Sequence, residues 1–345
     1  MIKAVIVGGT GYTGLELIRL LLGHPRVKLT AITSTTQAGK TVTDFFPSLN
    51  GKTDLSFEPF DCKRIADAAG LAFTALPHGA SMDVVSQLVE AGLKVIDLSA
   101  DFRLKNLADY NEWYGEHKSP ELLEKAAYGL PELNGEEIKD ASLVANPGCY
   151  PTSAILPLYP LLKDGVIDSK TVVINSASGL SGAGRVPASG NIFCEANENF
   201  KAYKVGEHRH TPEIESVLSA VAGDGFRVTF TPHLLPVNRG ILSTITANLN
   251  KDISSGDVLS LLSEFYAQSP FVRICEQGTL PAISNVRGSN YCDIGASVDK
   301  RTGRLVVVSV IDNLIKGASG QAVQNMNVLY GFAEDEGLSQ LPLNL

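Results

Sequence analysis

The stretch that decides the fold is Ile-Lys-Ala-Val-Ile-Val-Gly-Gly-Thr-Gly-Tyr-Thr-Gly, residues 2–14. Its first six residues form an almost continuous apolar run, as expected of a parallel strand that is buried on both faces. Gly9, Gly11 and Gly14 then satisfy the pattern G-x-G-x-x-G, and an apolar helical run follows up to Leu22. Such glycines let the backbone approach a pyrophosphate at the N-terminus of the helix. The stretch predicts a dinucleotide site, and the alternative is a tight turn that binds no ligand.

Strands and helices continue to alternate through the first half of the chain. Further strands are predicted at 27–33, 71–76, 93–98 and 143–145, with helical runs that end at Gly70 and cover 81–91. This alternation predicts an α/β fold of the Rossmann type, a doubly wound parallel sheet with helices on both faces. The segment from Leu104 to Ile138 is polar, aromatic and irregular, and we expect it to run over the surface.

The second half has strands in succession, which indicates a different architecture. Runs rich in β-branched residues cover 172–176, 227–232, 241–249, 289–298 and 304–312. They predict an α+β domain with a mixed or antiparallel sheet, and its last two strands are joined by a short hairpin turn. We expect three parts: a dinucleotide-binding domain at 1–148, a catalytic and oligomerisation domain at 149–313, and a C-terminal helix at 314–345 that returns to the first domain.

Composition excludes several functional classes. A chain of 345 residues with 44% hydrophobic and 19% charged residues is ordinary for a two-domain globular enzyme. The net charge of -8 argues against a nucleic-acid partner. No apolar run approaches the roughly 20 residues that a membrane span needs, and the N-terminus is too short for a signal peptide. The five scattered cysteines predict neither a metal site nor a disulfide framework, so a cytoplasmic location fits best.

A second decisive stretch is Asn-Pro-Gly-Cys-Tyr-Pro-Thr, residues 146–152. It follows an apolar run and precedes a helical one, so Cys149 is expected on a strand-to-helix turn. The N–H groups and the dipole of a helix N-terminus favour a thiolate there. The same N–H groups could stabilise an oxyanion on a carbonyl that the sulfur attacks. We therefore predict a nucleophile, the alternative being an inert cysteine that only fills space.

Two histidines lie just before another predicted helix. His208 and His210 are two residues apart in a segment that we expect to be extended, so their side chains would face the same way. One of them is the predicted acid/base partner of Cys149. Exposed loop histidines are the alternative. The nearby Glu213 would cap the helix or orient a histidine, and no third ligand at useful spacing suggests a metal.

The end of the second predicted strand bears on the choice of dinucleotide. A site selective for NAD normally carries Asp or Glu about 20 residues beyond the glycines, where it binds the ribose 2′-hydroxyl. Here that place holds hydroxyl residues, Ser34 among them, with Lys40 close behind, and no acid occurs before Asp44. This pattern favours NADP. The alternative is that these hydroxyls only cap the next segment.

Three further segments are candidate ligand contacts. The Pro77–Gly79 turn follows a strand end, where such sheets bind ligands, and its His78 could contact the cofactor or have no such role. Arg103 leaves the next strand end and is a candidate anion ligand or a partner in a surface salt bridge. The glycine-rich loop at 178–185 is either a substrate-gripping loop or a flexible surface loop.

Together these stretches resemble the N-acetyl-gamma-glutamyl-phosphate reductase family, which is related to aspartate-semialdehyde dehydrogenase. The resemblance runs over the whole chain through blocks at 8–14, 146–152, 178–185, 208–214, 232–240 and 317–327. It implies NADPH-dependent reduction of an acyl phosphate, N-acetyl-glutamyl 5-phosphate, to the semialdehyde through a cysteine thioester, in arginine biosynthesis. It also implies NADP(H) as cofactor, inorganic phosphate as the leaving group, and a homodimer or homotetramer built through the second sheet.

The resemblance implies roles for particular residues as well. It makes Cys149, His208 and Glu213 the catalytic residues, with His208 favoured over His210 as the acid/base. The implied cofactor contacts are Gly8, Thr10, Gly11, Tyr12, Thr13, Gly14, Ser34, Pro77, Ser178, Gly179 and Asn313. The implied substrate contacts are Arg103, Asn146, Ser181, Gly182, Arg185 and His210. No metal is implied.

Two other functions remain open at this point. One is a related reductase that acts on an aminoadipyl phosphate attached to an acidic carrier protein, although the net charge of -8 weighs against such docking. The other is a redox-sensing NADP-binding regulator whose Cys149 is oxidised rather than acylated. A sensor needs no acid/base residue, so the histidine pair favours the enzyme.

Overall fold

The structure, a computed structural model, describes residues 1–223 and 225–344. These residues form two compact units. The first comprises Met1–Pro147 and Ala318–Ser339, and the second comprises Gly148–Gly317 and the residues from Gln340 onward. Within the described residues, no helix has the length and apolar character needed to cross a membrane.

The first unit is built on one parallel sheet. Its strands are β1 (Ile2–Val7), β2 (Val27–Thr33), β3 (Phe57–Glu58), β4 (Leu71–Thr74), β5 (Lys94–Asp97), β6 (Ala126–Tyr128) and β7 (Leu143–Ala145). They lie in the order β3-β2-β1-β4-β5-β7-β6, and every neighbouring pair is parallel. The predicted doubly wound sheet is confirmed. The strand order reverses between β1 and β4, and in such sheets ligands bind at the carboxyl ends of the strands beside this point.

The helices of this unit cover the sheet with apolar side chains. They are α1 (Tyr12–Leu22), α2 (Val42–Phe45), α3 (Cys62–Ala68), α4 (Ser81–Glu90), α5 (Leu107–Tyr114) and α6 (Pro131–Lys139). On α1, Leu17, Ile18 and Leu21 are at most 1% exposed. Burial of such a stripe is what holds a short helix against a sheet, because propensity alone contributes little.

The segment from residue 104 to residue 138 is not the irregular excursion that its composition predicted. It contains α5, β6 and α6, and β6 pairs with β7 as the last strand of the first sheet. The prediction was wrong because β6 is only Ala-Ala-Tyr, too short to show an alternating or continuous apolar pattern. Its three residues are nevertheless buried.

The second unit contains a mixed sheet. Its strands are β8 (Val173–Gly179), β9 (Lys201–Ala202), β10 (Thr229–Leu235), β11 (Ile241–Asn248), β12 (Val272–Ile274), β13 (Cys292–Asp299) and β14 (Arg304–Ile311). They lie in the order β12-β13-β14-β11-β8-β10-β9. The β8–β10 and β12–β13 pairs are parallel and the other neighbouring pairs antiparallel, so the predicted mixed sheet is confirmed.

The described residues of the second unit also form four α-helices. These helices are α7 (Cys149–Lys163), α8 (Phe193–Ala196), α9 (Thr211–Ala222) and α10 (Ser255–Phe265). Two of them, α7 and α10, contact the sheet. The helix α7 lies against β11 and β14 and also contacts α9 and α10. Buried residues alternate with partly exposed ones along the whole of β11. This alternation is expected of a sheet that is covered on one face and open on the other.

The C-terminal helix α11 (Gly320–Leu329) belongs to the first unit, as the sequence predicted. A π-helical turn at Ile315–Ser319 precedes it, and all of its residues are buried. It contacts α1, α6 and β5. The Asn325 side-chain amide donates to the Gly129 carbonyl at 2.8 Å and to Asn146 Oδ1 at 2.9 Å. Polar side chains on a fully buried helix therefore tie it to the loop after β6 and to the loop after β7.

Candidate active site

The glycine-rich turn after β1 has the geometry of a phosphate site. Gly11 is the N-cap of α1 and provides no side-chain cap, and a Cβ built on it would meet no other described atom within 4 Å beyond its chain neighbours. A Cβ on Gly14 would lie 2.5 Å from the Gly9 carbonyl. The absence of a side chain at Gly11 thus leaves open space in front of the helix N-terminus. Its absence at Gly14 lets the turn close tightly. Both features suit a bound pyrophosphate.

Two other residues that the sequence assigned to the cofactor, Gly8 and Ser34, lie beside the end of β2. Gly8 has a φ of 89° and donates its N–H to the Thr33 carbonyl at the end of β2, at 3.2 Å. Ser34 is only 5% exposed, and its hydroxyl accepts the Gln37 N–H at 3.2 Å. Ser34 therefore holds the turn after β2, whereas the cap of the next helix, α2, is Thr41.

The turn after β4 is fixed by the turn after β5. The Gly79 N–H lies 2.9 Å from both carboxylate oxygens of Asp101, and His78 Nδ1 accepts the Ala100 N–H at 3.0 Å. Tyr110 donates its hydroxyl to Asp101 at 2.8 Å. The buried Asp101 therefore holds the turn that contains Pro77, which the sequence assigned to the cofactor. Sequence reasoning missed Asp101, because its partner lies 22 residues away.

Arg103 and Asn146 meet in the first unit. Arg103 is 8% exposed, and its guanidinium donates from Nε to the Asn146 carbonyl at 2.7 Å and from Nη2 to the Leu98 carbonyl at 2.9 Å. The Asn146 side chain donates to the Ala318 carbonyl at 3.1 Å and accepts from Asn325. Arg103 is thus not a surface residue, and its guanidinium lies against the loop at the end of β7.

Cys149 is the first residue of α7, at the N-terminal end where the sequence placed it. The preceding residue, Gly148, is the N-cap, and it is extended and has no side chain to cap the helix. Its N–H donates to Glu213 Oε1 at 2.8 Å, and Glu213, in the first turn of α9, is 1% exposed. The predicted catalytic Glu213 therefore contacts the backbone of the cysteine turn. A carboxylate at this place fixes the turn on which the thiol sits.

The two histidines lie together beside α7, but the segment that carries them is a turn and not an extended strand. His210 is helical in φ and ψ as the N-cap of α9, and the Thr211 N–H donates to the His208 carbonyl at 2.9 Å. The rings of His208 and His210 are 4.8 Å apart. Both rings pack edge-on against Tyr150. The histidines are close together because the turn folds back on itself. The prediction of an extended segment, in which side chains two residues apart face the same way, was therefore wrong.

Hydrogen bonds define the tautomer of His208. Its Nδ1 accepts the His210 N–H at 3.1 Å, so in the neutral ring the proton is on Nε2, which lies 3.3 Å from the Tyr203 hydroxyl. Burial, with smaller contributions from the charges of Lys204 and Arg209, lowers the pKa of His208 to about 4. Burial also raises the pKa of Tyr203 to about 12. At neutral pH this pair is therefore a neutral imidazole that donates to a neutral phenol.

The glycine-rich loop after β8 gathers several of the predicted contacts. The Asn313 side chain accepts the Gly240 N–H at 2.8 Å and donates to Ser181 Oγ at 2.9 Å. A Cβ on Gly182 would lie 3.0 Å from Ser178 Oγ and 3.6 Å from the Asn313 amide. The loop is thus anchored on Asn313, the second residue after the end of β14. Arg185, also predicted to bind substrate, is exposed.

In the part of the chain that the structure describes, no group of three His, Cys, Asp or Glu side chains is arranged to hold a metal ion.

Comparison with known families agrees with both units. The model of the semialdehyde dehydrogenase NAD binding domain matches residues 3–141, and that of the semialdehyde dehydrogenase dimerisation domain matches residues 149–313. Among solved structures, aspartate semialdehyde dehydrogenase II from Vibrio cholerae has a TM-score of 0.73 at 18% identity and covers 96% of this chain and 98% of its own. The enzyme from Candida albicans, solved with NADP, has a TM-score of 0.71 at 19% identity, with the same coverage of 96% and 98%.

The two matched domains and the site between β1 and α1 define an oxidoreductase that binds a nicotinamide dinucleotide, of the semialdehyde dehydrogenase type. Two relatives named N-acetyl-gamma-glutamyl-phosphate reductase, from Desulfotalea psychrophila and Geobacter metallireducens, are each 54% identical over 344 residues, 99% of this chain and 99% of their own. The chain belongs to the N-acetyl-gamma-glutamyl-phosphate reductase family.

Proposed function

We propose that this protein catalyses the NADPH-dependent reductive dephosphorylation of N-acetyl-glutamyl 5-phosphate to N-acetyl-glutamate 5-semialdehyde, a step of arginine biosynthesis. The observation that carries the proposal is the position of Cys149 at the N-terminus of α7. The turn before it is held by a hydrogen bond from the Gly148 N–H to Glu213. It occurs in a chain that is 54% identical to reductases of this name over nearly its whole length. Neither the carrier-dependent reductase nor the redox sensor is the activity for which these relatives are named.

Cys149 is the nucleophile of this mechanism. Its position at the helix N-terminus stabilises a thiolate, which attacks the acyl carbon of the substrate. The carbon–sulfur bond forms, the bond to the phosphate oxygen breaks, and inorganic phosphate leaves. Backbone N–H groups of the first turn of α7 are positioned to stabilise the developing oxyanion. The product of this half-reaction is a thioester on Cys149.

The residues of the glycine-rich turn would hold the cofactor, which when bound would supply the hydride that reduces the thioester. Gly11 leaves open space at the N-terminus of α1, where the pyrophosphate would bind. The absence of an acid between Ser34 and Asp44 supports NADP(H) over NAD(H), since no carboxylate repels a 2′-phosphate there. Reduction gives a thiohemiacetal on Cys149, whose collapse regenerates the thiolate and releases the semialdehyde.

A histidine moves the proton in this cycle, and we assign that task to His210 because of the low pKa and the hydrogen bonds of His208. A ring whose pKa is about 4 is a weak base at neutral pH, and both nitrogens of His208 have partners in Tyr203 and the His210 backbone. His208 then acts on its neighbour, because it accepts the His210 N–H and fixes the turn. This assignment reverses the preference that the family resemblance suggested.

The exposed face of the second sheet is the proposed subunit interface. The matching domain is described as a dimerisation domain, and alternate side chains of β11 are only partly covered within the subunit. A homodimer or homotetramer built through this face would cover them. A cytoplasmic location accompanies this function.

The test is the reverse reaction, in which semialdehyde, phosphate and NADP are mixed and NADPH absorbance is followed. Cys149→Ser should bind NADPH with wild-type affinity yet lose nearly all reduction and oxidation, because a hydroxyl is far less nucleophilic than a thiolate. Cys292→Ala, at a buried cysteine of the same unit, is the matched control and should remain active. Substantial activity in Cys149→Ser would refute the mechanism.

A further inference from the structure

Cys149 has a close neighbour for which the mechanism above assigns no role. Gly317, in the π-helical turn after β14, lies directly against it. A Cβ built on Gly317 would be 2.7 Å from the Cys149 Cβ and 3.2 Å from its Cα. Side chains do not approach each other that closely, since carbon atoms in contact are about 3.5–4.0 Å apart. The space that a side chain at position 317 would need is occupied by Cys149.

The backbone of Gly317 does not itself require glycine. Its φ lies outside the left-handed region, unlike that of Gly240 or Gly288. Conformational freedom, the usual reason for a glycine in a turn, is therefore not the reason here. What this position requires is the absence of a side chain.

The turn that carries Gly317 is held in place by one buried carboxylate. Asp312 is fully buried, and its Oδ1 accepts the N–H groups of Leu314 at 2.8 Å and Ile315 at 3.1 Å. Its Oδ2 accepts the Gly288 N–H at 2.8 Å. The Asp312 carbonyl accepts the Gly317 N–H at 2.9 Å.

Ile311 also restricts movement of the turn away from Cys149. Ile311 Cδ1 would lie 3.3 Å from the added Cβ of Gly317. With Asp312 fixing the backbone and Ile311 beside it, the strain of a side chain at 317 falls on Cys149.

We propose that Gly317 is a positioning residue for Cys149, and that the turn fixed by Asp312 sets the place of the thiol at the helix N-terminus. The role of Cys149 as nucleophile rests on the proposed function, whereas the steric coupling of the two residues does not. Displacement of a reacting group by about 1 Å can cost on the order of 10²-fold in rate. We therefore expect a substitution at Gly317 to affect kcat more than substrate binding.

The first experiment is Gly317→Ala, assayed in the reverse reaction. We expect kcat to fall about 10–100-fold while KM for the semialdehyde changes less than about threefold. Alkylation of Cys149 by iodoacetamide should slow by at least about threefold, because the sulfur leaves the helix N-terminus. Gly135→Ala is the control, since a Cβ there would have no described neighbour within 4 Å. Wild-type kcat in Gly317→Ala would overturn the proposal.

The second experiment measures the coupling without any activity. Gly317→Ala is compared in the wild-type background and in a Cys149→Gly background, which removes the Cβ that it would meet. We expect the loss of Tm to be smaller in the second background by at least about 2 °C. If Gly317→Ala folds only in the Cys149→Gly background, the same conclusion holds. An equal loss in both backgrounds, or failure to fold in both, refutes the steric coupling, whereas an active Cys149→Ser would refute the proposed function and leave the coupling intact.

Discussion

The low pKa of His208 makes a quantitative prediction about stability. An unfolded chain protonates this ring with a pKa near 6.5, whereas the folded chain does so only near 4, because burial disfavours the imidazolium. The unfolded state therefore binds more protons between these two values. The stability that the neutral ring contributes is complete above pH 6.5 and is lost as the pH falls toward 4.

The size of the effect follows from the two pKa values. Between pH 7 and pH 5 this one group should lower the free energy of unfolding by about 2 kcal/mol. The change His208→Asn removes the titrating ring, so the variant should lose less stability over the same interval by about that amount. The measurement is urea unfolding followed by far-UV circular dichroism at both pH values. Tyr203→Phe is the control. It keeps the His208 ring buried, so this variant should retain most of the pH dependence of stability.

The variant His208→Asn also tests which of the two histidines transfers the proton. If His208 positions its neighbour and His210 transfers the proton, His210→Asn should lower kcat by about 10²–10⁴ and His208→Asn by clearly less. An equal loss of stability in wild type and His208→Asn between pH 7 and pH 5 would refute the argument from burial. A larger loss of kcat in His208→Asn than in His210→Asn would return the acid/base role to His208.

Two further predictions concern the cysteine turn and the cofactor. Glu213→Gln retains an oxygen that can accept the Gly148 N–H, whereas Glu213→Ala leaves that buried N–H without its acceptor. We expect kcat to fall about 10–100-fold more in the alanine variant, because a buried donor without an acceptor costs about 1–3 kcal/mol. Equal kcat in the two variants would contradict the hydrogen-bond explanation. The wild type should prefer NADPH over NADH by at least about tenfold in kcat/KM, and Ser34→Asp should shift this preference toward NADH by repelling the 2′-phosphate. Equal efficiency of the wild type with both cofactors would refute the proposed selectivity.

The central strands of the first sheet could be predicted from sequence, because each is marked by a pattern within its own few residues. The strand β1 begins and ends where the apolar run does, and so does β2. A strand buried on both faces must be apolar at nearly every position, and the glycines that follow β1 mark its end. The strand β6 gave no such signal, because three residues at the edge of a sheet show no period.

The cysteine turn was predictable for a similar reason, but its surroundings were not. Pro-Gly-Cys between an apolar strand and a helical run is a local pattern that places the thiol at a helix N-terminus. The partner of Gly148 is 65 residues away, and Gly317 is farther still along the chain. A single sequence contains no information that pairs positions at these distances, so the contacts of Asp101, Asp312 and Gly317 appear only in the folded chain.

The distant contacts add to the hydrogen bonds that α7 makes within its own first turn, where the N–H and the hydroxyl of Thr152 both donate to the Gly148 carbonyl. The N-cap of α7 is a glycine without a capping side chain, and Pro157 and Pro160 interrupt the hydrogen bonds of the helix. A helix N-terminus supplies the electric field that favours a thiolate but does not by itself determine where the sulfur lies. Glu213 holds the turn through the Gly148 N–H, and Gly317 limits the space beside the sulfur-bearing residue. The electric field at the nucleophile therefore comes from α7, whereas the position of the nucleophile depends on residues outside α7. Substitutions at Glu213 or Gly317 should thus lower kcat even though α7 keeps its sequence.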